Sequence, residues 1–278
     1  MLKIVRIILV ILFCLALAGA GGLYIYNYTH EDTSAPAFHS ETDLLEVSVT
    51  DPEQTLLRGL SAYDNVDGDL TSKIRIQDIS TLVNDTDVNV SYIVFDDASN
   101  YATYSRTVRY RDYTPPHFTV LQPMIFNTGD PVSFTGYITV NDQRDGDISG
   151  RLKLEESTVI NNSPGTYSAT LSATNRMGDT VYLPLTVQII DNSVSRPKIQ
   201  LKDYLIYIKA GEEPSFRRYI TEVTDPMAAD SDQDIPASKV TVNAEGVDAD
   251  TPGVYEVYYY YTGLSGEIAT VILTVIVE

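Results

Sequence analysis

From residue 33 onward, apolar and polar residues alternate in short runs. In "TYSATLSAT" (166–174) Tyr167, Ala169, Leu171 and Ala173 fall on one side, Thr and Ser on the other. That period of two predicts a strand with one wet face. "VYLPLTVQI" (181–189) puts Val181, Leu183, Leu185, Val187 and Ile189 on an inner face. Pro184 lies on the outer face and predicts an edge position, because proline has no N–H to give a neighbouring strand. Tyr, Val, Ile and Thr dominate these runs, punctuated by Gly, Pro, Asn and Asp. The exception comes first. "IILVILFCLALAGAGGLYIY" (7–26) holds twenty residues with no charge and no polar face, enough to cross a bilayer as a helix.

Lys3 and Arg6 lie in the basic stub 1–6, which places that stub inside and everything after Tyr26 outside. Residues 27–32 form a juxtamembrane linker. A second reading remains open: Ala18-Gly19-Ala20 supplies the small residues that a signal peptidase needs, and cleavage there would give a secreted protein. Apolar residues continuing past Ala20 favour the uncleaved anchor. Phe13 before Cys14 is too large for a lipoprotein site.

The strand pattern repeats. "VNVSYIVFDDASNYATYSRTV" (88–108) matches "YSATLSATNRMGDTVYLPLTV" (167–187) at an offset of 79, and "YEVYYYYTGLSGEIATVILTV" (255–275) matches the second at an offset of 88. Pro164-Gly165-Thr166-Tyr167 recurs as Pro252-Gly253-Val254-Tyr255. Each copy opens on a proline and a short strand: Pro36-Ala37-Phe38, Pro116-His117-Phe118, Pro197-Lys198-Ile199. The repeats run 33–113, 114–193 and 194–278. The fold class is all-β, with three tandem β-sandwiches after one N-terminal transmembrane helix. Short Pro-containing links predict a stiff string. At 3.3 Å per residue each domain is roughly 35 Å long, so three in line reach about 100 Å. The third repeat is expected to lie farthest from the membrane.

The chain has 278 residues and a formal net charge of −19. Such a surface repels phosphate backbones, which excludes nucleic acid as a partner. Its one cysteine, Cys14, lies in the apolar segment, so no disulfide framework or cysteine-based zinc site is expected.

One polar motif occurs twice: "DNVDGDLT" (64–71) and "DQRDGDIS" (142–149). Asp-Gly is a strong turn signal, since glycine takes positive φ readily. Asp64 and Asp142 can accept hydrogen bonds from backbone N–H groups just downstream, while Leu70 and Ile148 point back into the core. Lys73, Arg151 and Lys239 lie just after the loops and would balance their charge. The third loop is read as a decayed "DSDQDI" (230–235), with Gln233 where glycine stood. The EF-hand pattern fails, because Leu70 falls where glycine is needed. Asp64, Asp67, Asp69, Asp142, Asp145 and Asp147 are therefore read as structural turn residues, with an irregular calcium site as the alternative and no other cofactor expected.

The loop, the Pro-Gly-Thr-Tyr strand and the domain-opening proline together resemble the bacterial immunoglobulin-like surface domain also found in a pesticidal crystal protein and in Gram-positive surface proteins. The second copy fits best, through Asp142, Asp145, Gly146, Asp147, Gly165, Tyr167, Gly178 and Asp179. The first copy lacks Pro-Gly before Val88. The resemblance spans about 33–278 and implies an Ig-like fold at a bacterial cell surface. It implies no activity.

No catalytic constellation emerges. His30, His39 and His117 lie away from the Asp loops, and no phosphate-binding loop opens a helix. A solvent-facing acidic loop has no means of raising one carboxyl for acid–base work. In "YYYY" (258–261), alternation sends Tyr259 and Tyr261 inward with Val257, leaving Tyr258 and Tyr260 outward as candidate ligand-stacking residues. The sequence thus reads as a non-enzymatic, membrane-anchored bacterial surface protein, a rigid extracellular spacer and interaction rod. The alternative is an adhesin-like module binding envelope glycan or a surface protein, with the third repeat as the reader.

Overall fold

The computed structural model describes residues 2–30, 32–228 and 235–278. The third-copy loop expected at 230–235, Gln233 included, lies almost wholly outside them. Helix α1 spans Leu2–His30. Within it, Ile4–Tyr26 is a 23-residue stretch of mean hydropathy 2.6, none of it buried against protein. The chain forms two compact units, Met1–Arg111 and Asp112–Glu278.

In the first unit, β1 (Ala37–Ser40), β3 (Leu60–Asp64) and β4 (Gly68–Asp69) form one sheet, in the order β1-β3-β4. The second sheet holds β2 (Leu44–Val47), β5 (Arg75–Ile79), β6 (Asp87–Phe95) and β7 (Tyr101–Tyr110), in the order β2-β7-β6-β5. Val88, Val90, Tyr92 and Val94 alternate inward from β6, as period-two patterning requires. Tyr92 is fully buried, with its hydroxyl on the Leu56 carbonyl at 2.7 Å.

The second unit repeats this plan. Strands β8 (His117–Val120), β10 (Ile138–Asp142) and β11 (Gly146–Asp147) face a sheet of β9 (Ile125–Asn127), β12 (Lys153–Ser157), β13 (Gly165–Thr174) and β14 (Thr180–Ile190), ordered β12-β13-β14-β9. Then β15 (Lys198–Leu201) pairs β17 (Ile220–Thr224), opposite β16 (Leu205–Ile208), β18 (Thr241–Asn243), β19 (Gly253–Thr262) and β20 (Ile268–Val277), ordered β16-β20-β19-β18. In all three sheet pairs the second strand runs parallel to the last. Leu183, Leu185, Val187 and Ile189 are buried, as the alternation predicted. Strand β10 starts only at Ile138. A turn through Gly136, at φ 84°, bends the chain back so that Tyr137 N–H meets the Phe134 carbonyl.

The expected in-line arrangement of the second and third repeats is not what forms. They lie flank to flank and antiparallel. Links near residues 191–197 join the foot of one to the head of the next, and the opposite ends also meet. The Phe118 N–H donates to Tyr207 Oη at 2.8 Å, the His117 and Tyr207 rings stack at 4.2 Å, and His117 Nε2 lies 3.3 Å from Glu278 Oε1. Leu205 is buried in the core of the second sandwich, with Tyr204, Tyr207 and Ile276 packed against it. Ile125 returns the contact to the third core. The cause lies in β14. Strand β9 covers only Gln188–Ile190 of it, so at Pro184 and Thr186 that side is open, as the proline foretold. Glu256 closes it, its Oε1 accepting the Thr186 N–H at 3.1 Å and its Oε2 the Thr186 hydroxyl at 2.9 Å. An uncovered edge invites foreign strands, and here a neighbouring carboxylate and apolar contacts cover it.

Candidate functional site

The paired Asp loops are built as turns. Asp64 Oδ1 accepts the N–H groups of Val66 (2.8 Å) and Asp67 (3.1 Å), and Asp142 Oδ1 those of Arg144 (2.9 Å) and Asp145 (2.7 Å). These bonds hold the Asp64 carboxyl below its ordinary value, because they favour the ionised form. Gly68 and Gly146 sit at φ 76° and 70°, where other residues are strained. Asp69 and Asp147 make the next turn, accepting from the N–H of Thr71 and Ser149. Asp67 Oδ2 takes the Asp97 N–H and Asp145 Oδ2 the Arg176 N–H, so each loop is stitched to the hairpin opposite. Leu70 and Ile148 are buried, 1% and 3% exposed.

Charge compensation differs between the copies. Arg151 Nη1 meets Asp145 Oδ2 at 2.8 Å, as expected. Lys73 instead pairs with Asp97, across the hairpin, and not with a loop carboxylate.

Matching positions meet at the head of each sandwich, and strand register shows which correspond. Thr224 pairs with Lys198 as Asn141 pairs with His117 and Tyr63 with Ala37. Asp225 therefore stands in the third copy where Asp64 and Asp142 stand in the others. It keeps the turn, accepting the Met227 N–H on Oδ1 and the Leu264 N–H on Oδ2. The placement of that position in 230–235 is thereby corrected. This copy retains only the first aspartate, followed by Pro226 and Met227, so no Asp-Gly-Asp marks it. Across the hairpin, Asp96, Asn175 and Gly263 correspond, each closing its turn through a bond to the residue four on.

In the second copy the position is filled by donors. Asn175 Nδ2 donates to Asp142 Oδ2 and to Tyr113 Oη, both at 2.9 Å, and Tyr113 Oη donates to Asp179 Oδ2 at 2.7 Å. Burial and the Asp179 carboxylate push the Tyr113 hydroxyl well above its ordinary value. In the third copy Arg196 Nε meets Glu267 Oε2 at 2.9 Å. In the first copy three carboxylates meet instead: Asp32, Asp64 and Asp96 each bring an oxygen within 4.8 Å of the others. Sequence reading singled out only Asp64 of these. Asp32 is the last residue of the linker expected at 27–32, and Asp96 lies in the turn between β6 and β7. The offset of 79 that aligns Asp96 with Asn175 carried the signal.

Tyr258 and Tyr260 stack at 6.1 Å with planes 7° apart, but neither stands free. Both are half-buried, and Tyr258 Oη donates to Glu256 Oε2 at 2.6 Å. Burial and that carboxylate push its pKa up to about 12. Tyr258 thus belongs to the junction with the second sandwich, because Glu256 is the residue that caps β14. A cavity of about 600 Å³ lies beside it in the fold, between the foot of the second sandwich and the head of the third, lined by Arg196, Lys198, Gln200, Tyr204 and Asn127 among others.

No protein-family model matches the chain, and no curated protein matches it. Among solved structures, it is similar to CBM51-2 in complex with GlcNAc and INT domains from Clostridium perfringens ZmpB, at 18% identity and TM-score 0.23 over 53% of this chain and 26% of that one. A lipoprotein from Bacteroides thetaiotaomicron matches at 15% identity and TM-score 0.26, over 56% of this chain and 77% of that one. Drosophila N-cadherin EC1-4 matches at 12% and 0.23, over 89% and 76%. The chain spans about a quarter of the first of these. At such scores the likenesses carry no functional conclusion.

Proposed function

We propose that the chain is a membrane-anchored bacterial surface protein, a non-catalytic extracellular scaffold of Ig-like sandwiches that holds a rigid interaction surface outside the cell. Helix α1 carries this reading. Residues 7–26 carry no charge and lie outside any protein core, which suits a lipid environment, and Lys3 and Arg6 precede them. The acidic domains that follow use their loop carboxylates in turns and ion pairs. The flank-to-flank pair supports a block rather than an extended rod for repeats two and three. Carbonate extraction of membranes tests the anchor. The full chain stays in the pellet, and a chain lacking residues 7–26 stays soluble. Release of the full chain by carbonate would overturn it.

The second reading, capture of envelope glycan or a surface protein, is favoured by the cavity between the second and third sandwiches. It combines an aromatic ring, amides and two cations in an otherwise acidic protein, features that suit a polar ligand. Residues 27–278 immobilised and exposed to envelope polysaccharide fractions test it. Retention that falls in Tyr204→Ala or Lys198→Glu supports capture, and equal retention by these variants removes the cavity as the reader.

A further inference from the structure

The structure assigns a calcium-binding site to the first sandwich, formed by the carboxylates of Asp32, Asp64 and Asp96. An acidic cluster alone would not suffice, since such groups are common on surfaces. Two further observations single this one out. Asp64 is 2% exposed and Asp96 6%. Moreover, the Oδ2 atoms of Asp32 and Asp64 are both buried without any hydrogen-bond partner. Their Oδ1 atoms are already occupied, by the Ser34 N–H and by the loop N–H groups respectively. The Oδ2 atoms are what remains for the cluster. Leaving buried carboxylate oxygens without a donor or cation is costly.

The other copies show how the same place is satisfied without a metal. In the second, Asn175 supplies an amide donor to Asp142 Oδ2. In the third, Asp225 Oδ2 takes the Leu264 N–H. The first copy has aspartate where Asn175 stands, and Asp32 adds a third carboxylate. None of the three forms an ion pair among the described residues, since the nearby Lys73 goes to Asp97. Asn100 Nδ2 steadies the assembly, donating to Asp96 Oδ2 at 2.8 Å and to the Asp32 carbonyl at 3.0 Å.

Hard carboxylate oxygens in an irregular loop cage suit calcium better than magnesium, which demands near-ideal octahedral geometry and holds its water. Three protein carboxylates leave the remaining positions to water. That points to the weak affinity of extracellular modules, a dissociation constant on the order of 10⁻⁴–10⁻³ M. The ion has a mechanical consequence. Asp32 lies two residues after the end of α1, so calcium clips the chain leaving the helix onto the head of the first sandwich and stiffens the membrane-proximal joint.

The test is calorimetric titration of calcium chloride into the metal-stripped full chain in non-ionic detergent. One calcium per chain is expected, with magnesium weaker. Asp32→Asn and Asp96→Asn should each weaken binding at least about tenfold, the loss of one ligand charge. Asp145→Asn, in the second loop, should bind as the parent does. Far-UV circular dichroism checks that each variant folds. Should Asp96→Asn fail, Asp32→Asn decides, because Asp32 lies in no strand. The assignment is overturned by a folded parent that takes up no calcium at about 10 mM, by uptake that survives in Asp32→Asn, or by uptake that Asp145→Asn abolishes. A proton shared among the carboxylates in place of the metal would appear as the first of these.

Discussion

At single residues, the backbone at Gly146 and the ion pair at Asp87 show two different kinds of constraint. Gly146 sits at φ 70° with open space around a would-be Cβ. Substitution there costs backbone strain rather than a clash. Gly146→Val should destabilise the second unit by about 1–2 kcal/mol, with Gly146→Ala a little less, read from urea unfolding. Asp87 is held by both arms of Arg109, Nε to Oδ1 and Nη2 to Oδ2, each at 2.8 Å, with Asn84 adding a third bond. The Arg109 guanidinium, then Asn84, hold its carboxyl well below the ordinary value. A folded-state value below the unfolded one means the contribution is present above about pH 4 and is lost as pH falls further. The Asp87→Asn variant should therefore be less stable at pH 7 and show a flatter acid limb. An unchanged slope between about pH 4 and pH 2 would show that another group governs acid unfolding. Tyr259 repeats the role of Tyr92: its ring is fully buried and its hydroxyl donates to the Phe216 carbonyl at 2.8 Å. Tyr259→Phe removes that hydrogen bond, at a cost of about 0.5–1.5 kcal/mol in urea unfolding.

Among elements, the junction of β8, β14, β16 and β19 couples the second and third sandwiches. Strand β16 shows why this escaped the sequence. "LIYI" (205–208) is apolar at every position, and a strand with both faces apolar is covered on both. Ile206 and Ile208 face their own core, whereas Leu205 and Tyr207 face the neighbour's. The same split occurs at Ile125 and Phe126 of β9. A reading that looks for one wet face takes such runs as ordinary core. The in-strand alternation, the Asp loops as turns and the inward Leu70 and Ile148 were all legible, because each depends on neighbours in sequence. Asp32, Asp96 and Asp225 were not, because each acquires its role only when register brings distant segments together. Coupling at the junction predicts that the two sandwiches melt together. Tyr207→Phe strips the acceptor from the Phe118 N–H, and Glu256→Ala uncovers the β14 edge. Combined, they should split one calorimetric transition of the second unit into two. A single transition persisting in the double variant would show that apolar contacts alone hold the pair.

The whole molecule joins a long apolar helix to acidic β domains, and the proposed function depends on which side of a membrane those domains occupy. Net charge of −19 keeps them soluble and disfavours anionic lipid and nucleic acid. In the proposed anchored form, Lys3 and Arg6 ahead of residues 7–26 would orient the chain with its domains outside. Labelling on intact cells tests this most directly. Ser265 lies exposed in the β19–β20 turn, and Cys14, the one native cysteine, lies within the apolar helix. With Ser265→Cys, a membrane-impermeant maleimide should label intact cells as fully as lysed ones, and the labelled chain should sediment with the membranes. Labelling only after lysis, or labelled chain found free in the medium, would contradict a membrane-anchored scaffold facing outward.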